Sequence, residues 1–112
     1  MKHATIARIA GVSQPDVSNF YAERWGYLTQ EKVVRIVAVI KASQTELIEW
    51  HFSVSPSLTT IEATTEYGIC RLSERVRELN ARYERQGDPR RIINTETQRG
   101  IGVHAVYEMR EG

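Results

Sequence analysis

Hydrophobic positions recur at helical spacing over residues 3–42, with breaks around residues 11–13 and 24–28. In the last stretch Val33, Ile36, Val37 and Ile40 share one face and are expected to close a small core. Residues 43–57 read as a connector with a short amphipathic piece, 45–51, inside it. Residues 58–86 are helical again, broken near Gly68, and there Leu72, Val76, Leu79 and Tyr83 make one apolar stripe. Arg71, Arg75, Glu78 and Arg82 share the adjoining face, and Gly87, Asp88 and Pro89 stop the helix. From residue 91 the period changes to two. Val103, Ala105, Tyr107 and Met109 alternate with His104, Val106, Glu108 and Arg110, as in a strand with one buried face. Residues 91–97, with two isoleucines and two threonines, suit a partner strand. Gln98, Arg99, Gly100 and Gly102 lie between them, and glycine supplies the positive φ of a tight connection.

These elements predict a mainly α chain ending in a β-hairpin. A three-helix helix-turn-helix unit occupies residues 1–43, a connector 44–57, and a small winged-helix-like unit 58–112. In the first unit Ala7 is small where a second helix would cross the first, and Gly11 sits where the backbone leaves the helix with positive φ. Val12 plugs the corner. Val17 enters the core from the second helix, and Phe20 and Tyr21 follow one turn later. Ser13 can cap that helix, and Pro15 is tolerated in its first turn because the missing N–H has no intrahelical partner there. Thr29 is placed to cap the third helix, with Leu28 and Val33 at the positions of a hydrophobic staple.

Thr5, Ala7, Ala10, Gly11, Val12, Ser13, Val17 and Ser18, followed by the Leu-Thr-Gln-Glu-Lys-Val run at 28–33, give this segment its likeness. It resembles the headpiece of lactose-repressor-type regulators and, more loosely, the phage Cro/repressor type. The resemblance implies a second helix lying in the major groove of DNA. By position, Gln14, Pro15 and Asn19 would then meet base edges, with Ser13 and Ser18 near phosphate. The amides of Gln14 and Asn19 suit bidentate pairing with adenine. Pro15 suits a thymine methyl, and Asp16 repels phosphate unless it faces away or pairs with a cation. The family's effector-binding domain has no counterpart here, so no sugar-type ligand is implied. A helical corner in some other small domain, without DNA binding, is the alternative.

The order helix, turn, arginine-bearing helix and hairpin is that of a winged helix. Residues 58–110 resemble the winged-helix domains of short phage and prophage proteins, through the run from Tyr67 to Leu79 and the strands after it. The resemblance implies DNA contacts from Arg71, Arg75 and Arg82 on the helix, and from Arg90, Arg91 and Arg99 at the base and tip of the hairpin. Such a domain needs one more helix ahead of these two. Either residues 45–52 supply it, with Leu47, Ile48, Trp50 and Phe52, or the helix at 29–42 is shared. Trp50 and Phe52 could instead form an oligomer contact. About 50 residues per half is marginal for folding alone, so the halves are expected to pack together or the protein to form a homodimer.

With 112 residues, 41% hydrophobic and 26% charged, the chain is an ordinary globular one, neither disordered nor collagenous. The net charge of +1 by itself says little about partners. Lysine occurs only at positions 2, 32 and 41, so most cations are arginine, whose planar fork suits phosphate and guanine. One cysteine, Cys70, excludes an internal disulfide and fits a reducing compartment. No signal peptide is expected, and the apolar run 33–40 is too short to span a bilayer. Phosphate-binding glycine loops and metal-ligand spacings are missing, since His3, His51 and His104 are scattered. His51 reads as part of a solvated helix face and Cys70 as a small buried thiol. No cofactor, metal or enzyme activity is expected.

The expectation is a cytoplasmic, nucleoid-associated, sequence-specific transcriptional regulator of phage or mobile-element type. It would bind double-stranded DNA as a dimer and repress by occupying a promoter. Two alternatives stay open: an excisionase-like architectural factor that bends DNA, and a protein-interaction module such as an antitoxin or anti-repressor.

Overall fold

The computed structural model describes residues 1–95 and 105–111. Gln98, Arg99, Gly100, Gly102, Val103 and His104, which figured in the expected hairpin, lie outside the described residues. The chain divides into two compact units, Met1–Ser43 and Gln44–Gly112.

The first unit contains α1 (His3–Ala10), α2 (Gln14–Tyr21), a 3-10 turn (Trp25–Tyr27) and α3 (Gln30–Lys41). Ile6, Ala7, Ala10, Val17, Ile36 and Val39 form its core, with Ile9, Val12 and Phe20 packed against it. Gly11 ends α1 at φ +72°. A Cβ there would have room, its nearest neighbour being Arg35 Nη1 at 3.6 Å. The dihedral, not crowding, is what calls for glycine, since an L residue in this region costs roughly 1–2 kcal/mol. A reciprocal capping box opens α2: Ser13 Oγ accepts from the Asp16 N–H at 3.2 Å, and Asp16 Oδ2 from the Ser13 N–H at 3.1 Å. Thr29 caps α3 as expected, accepting from the Lys32 N–H at 3.2 Å.

Two expected core positions are corrected. Ile36 is buried, but its companion on α3 is Val39, while Ile40 is 44% exposed and Val33 and Val37 are half-buried. The helix is rotated from the expected stripe because α1 and α2 cover only a narrow band of it. Tyr21 is also exposed, its ring stacked on His3 with centroids 4.7 Å apart.

The second unit contains α4 (Gln44–Val54), β1 (Ser57–Thr59), α5 (Thr60–Tyr67), α6 (Leu72–Arg85), β2 (Arg90–Asn94) and β3 (Val106–Glu111). The strands form an antiparallel sheet in the order β1-β3-β2, with Leu58 opposite Tyr107 and Ile92 opposite Met109. The fold is therefore mainly helical with a small C-terminal sheet, of three strands where a two-stranded hairpin was expected. Residues 44–57, read from the sequence as a connector, are α4 and the start of β1, and α4 buries Leu47 and Ile48 in the second unit. Residues 58 and 59, read as the start of a helix, are strand. Thr59 both pairs in β1 and caps α5, in a second capping box with Glu62 at 3.0 Å each way. Gly68, at φ +67°, ends α5 as Gly11 ends α1.

Two further expectations are overturned. His51 is buried, not solvated: Nε2 lies 2.7 Å from the Ser57 carbonyl and Nδ1 2.6 Å from the Tyr67 hydroxyl. A carbonyl only accepts, so Nε2 carries a proton and donates to Ser57, while Nδ1 shares a hydrogen bond with the Tyr67 hydroxyl. The imidazole thus ties α4 to β1 and α5. Cys70 is exposed, because Ile69 takes the inward position in the turn between α5 and α6.

The Asp16 carboxyl is held below its ordinary range, chiefly because its hydrogen bonds with Ser13 favour the ionised form, with Lys32 adding to them. A folded-state value below the unfolded one means the stabilisation is complete above the unfolded pKa and is lost as pH falls through the folded one. Amide protection in α1–α3 should be level above about pH 5 and decline below about pH 4. Hydrogen exchange across this range should show that Asp16→Asn flattens the decline.

Candidate nucleic-acid interface

Leu72, Val76, Leu79 and Tyr83 are buried, so they fix which side of α6 faces inward. At about 3.6 residues per turn, the opposite side carries Glu74, Arg77, Glu78, Ala81 and Arg85, with Ser73 and Glu84 at its edge, and all of these but the half-buried Glu74 are exposed. The rotation of α6 is held by polar side chains. Asn80 Nδ2 donates to the Ile92 carbonyl at 2.9 Å, and Asn80 Oδ1 accepts from the Ile92 N–H at 2.8 Å. β2 is an edge strand, and these two bonds satisfy backbone groups that the sheet leaves unpaired. From α4, Glu49 accepts from Arg82 Nη2 at 2.8 Å and from the Tyr83 hydroxyl at 3.0 Å. Burial, then the Glu49 contact, pushes the Tyr83 phenol up to about 12, so it remains a donor at all ordinary pH.

The arginines expected to bind DNA divide into different tasks. Arg71, at the start of α6, has a side chain 76% exposed and sits 3.6 Å from Glu74. Arg75 lies between Glu74 at 3.6 Å and Glu78 at 3.2 Å, and its Nε is buried without a hydrogen-bond partner among the described residues. Arg82 is engaged by Glu49. Arg90 grips Asp88 through Nε at 3.0 Å and Nη2 at 2.8 Å while covering the Tyr83 ring at 4.5 Å. That grip is also what holds the Asp88 carboxyl below its usual range. Arg91 donates to the Asp88 and Arg90 carbonyls at 2.7 and 2.6 Å. Arg99 lies outside the described residues. Arg75, Arg82, Arg90 and Arg91 are thus occupied within the unit.

Arg77 and Arg85 were not singled out from the sequence. Both are exposed on the outward face of α6 and make no ion pair among the described residues. The signal was present, because the apolar stripe of α6 defines its opposite side, where both residues fall.

In the first unit Gln14, Pro15 and Ser18 are exposed and Asn19 is half-buried, all on one side of α2. Ser13 is exposed with its oxygen engaged as the cap. Asp16 faces the other way, 3.2 Å from Lys32 Nζ. The carboxylate that threatened to repel phosphate is thereby withdrawn.

Among the described residues no helix is long and apolar enough to cross a membrane. The family model described as a winged helix-turn-helix domain matches residues 43–107. It leaves the first 42 residues uncovered, so the N-terminal likeness to lactose-repressor-type and Cro-type headpieces gains no support from it. No curated protein and no solved structure matches the chain.

Replacing Asn80 by Ala removes both partners of Ile92. The second unit should lose about 1–3 kcal/mol of stability, read as a lower urea midpoint. The Ile92 amide should also lose its exchange protection ahead of its neighbours in β3.

Proposed function

Since the chain belongs to the winged helix-turn-helix domain family, we propose that it binds double-stranded DNA with α6 presented to the major groove. The observation that carries this reading is the pair of exposed, unengaged arginines on the outward face of α6, Arg77 and Arg85. Ser73 lies at the edge of that face, and Arg71 flanks it at the helix start. Arginine in such a position donates to phosphate or, through its fork, to guanine. Arg75, Arg82, Arg90 and Arg91 serve the same end indirectly, by fixing α6 and the base of β2. Arg99 is the further arginine proposed to reach the DNA from the hairpin.

The role proposed is that of a sequence-specific transcriptional regulator, not an enzyme. It acts as a homodimer that occludes a promoter, in the manner of a phage or mobile-element repressor. The likeness of residues 58–110 to phage winged helices supports that assignment. A protein-partner reading draws on Trp25 and Tyr27, 51% and 74% exposed. Salt separates the two, since binding through several arginines weakens steeply as salt rises, whereas an apolar interface does not.

Purified protein selected against random duplex DNA at about physiological salt should enrich a motif, with two-fold symmetry if a dimer binds. Arg77→Glu should lower affinity for the enriched motif about tenfold or more, as expected for a lost base or phosphate contact. Unchanged affinity in this charge-reversed protein would overturn the α6 reading.

A further inference from the structure

We propose that the N-terminal unit, which lies outside the family match, is a second duplex-DNA site, with the outward side of α2 meeting base edges. Charge is the first ground. Residues 1–43 hold six Lys and Arg against three Asp and Glu, a net +3. Residues 44–112 hold nine against eleven, a net −2. The unit that matches the DNA-binding family therefore has the poorer field for a polyanion, and the unit outside the match has the better one.

Placement of the charges is the second ground. Of the three acids, Asp16 is turned toward Lys32 and the Ser13 backbone, Glu31 is paired with Arg35 at 2.6 Å, and Glu23, just past α2, is exposed and makes no ion pair among the described residues. The Arg35 guanidinium reaches the corner between α1 and α2, since its Nη1 lies 3.6 Å from where a Cβ on Gly11 would be. Lys2 and Arg24 are exposed and make no ion pair among the described residues.

The third ground is the α2 surface itself. Gln14, Pro15, Ser18 and Asn19 lie together on the side away from Asp16, Val17 and Phe20, and none of them is charged. A side chain amide both donates and accepts, which matches the paired acceptor and donor of adenine in the major groove. None of these four side chains is a carboxylate that would repel the flanking phosphates. A short helix with uncharged readers in front and cations around it is complementary to a groove edged by phosphate. It is poorly suited to an apolar protein surface.

The test uses the full chain and duplex selection at several salt concentrations. Gln14→Ala with Asn19→Ala should relax base preference at part of the enriched motif and leave the salt slope unchanged. Arg24→Gln with Arg35→Gln should weaken binding to all sequences alike and reduce the slope of log affinity against log salt by about 1.8. Arg24→Lys with Arg35→Lys should restore that slope. Thermal melts of each protein separate misfolding from lost contact. If both the motif and the slope survive the first two pairs in folded protein, the proposal is wrong, and the unit's partner is something other than DNA. Arg77→Glu keeps the two readings apart. Loss of binding there with no effect from α2 leaves the α6 reading standing alone, and the reverse leaves this one.

Discussion

The side-chain amide of Asn80 binds both the N–H and the carbonyl of Ile92, and those two bonds fix which way α6 faces. β2 is an edge strand, so these groups would otherwise compete for water or for another strand. An amide presents one donor and one acceptor at a fixed distance, and only one rotation of α6 brings both into register with a single residue of β2. In that rotation Leu72, Val76, Leu79 and Tyr83 point inward and Arg77 points out. Burial of that stripe sets the inward side of α6. Directional polar contacts then narrow its rotation. Glu49, holding Arg82 and Tyr83 from α4, does the same from the other side.

This constraint explains why arginine count is a poor guide to the site. Arg82 and Arg90 lie at the end of α6 and the start of β2, where a planar five-donor group can bridge elements and cover an aromatic ring. Their charges are largely neutralised by Glu49 and Asp88. Arg77 has Glu74 three residues before it, but that carboxylate lies against Arg71 and Arg75, and Arg75 also has Glu78 three residues on. Competition for the acids decides which arginines remain available to an outside anion.

Local features were legible in the sequence and distant ones were not. Gly11 and Gly68, the cap at Ser13, the cap at Thr29 and the stripe on α6 all rest on contacts within a few residues, and each was found. Thr59 and Glu62 carry the same Thr-x-x-Glu signature of a helix start. Read as a capping box, they would have placed the start of α5 and released residues 58 and 59 to the sheet. β1 itself is only three residues long, too short to show alternation, and it exists because β3 offers a free edge. The burial of His51 depends on Tyr67 and Ser57, and the hold on Tyr83 depends on Glu49, 34 residues away. No local pattern encodes either contact. The rotation of α3 fails for a related reason: its sequence is apolar on more than one side, so periodicity alone does not say which side the neighbours cover.

The two corners share their backbone design and differ in their chemistry. Each ends a helix of eight residues on a left-handed glycine, and a capping box closes within each unit, on Asp16 in one and Glu62 in the other. Those acids are used up by the backbone, so neither weighs on an outward face. What remains on α6 is arginine interleaved with glutamate, which gives contact strength only where an arginine escapes its acid. What remains on α2 is neutral and hydrogen-bonding, a surface suited to discriminating between bases but one that attracts nothing over distance. Attraction in the first unit has to come from cations off α2, of which Lys2, Arg24 and Lys41 are exposed and make no ion pair among the described residues. In the site proposed on α2, separating attraction from discrimination in this way would let base preference change by substitution on α2 without altering the surrounding charge.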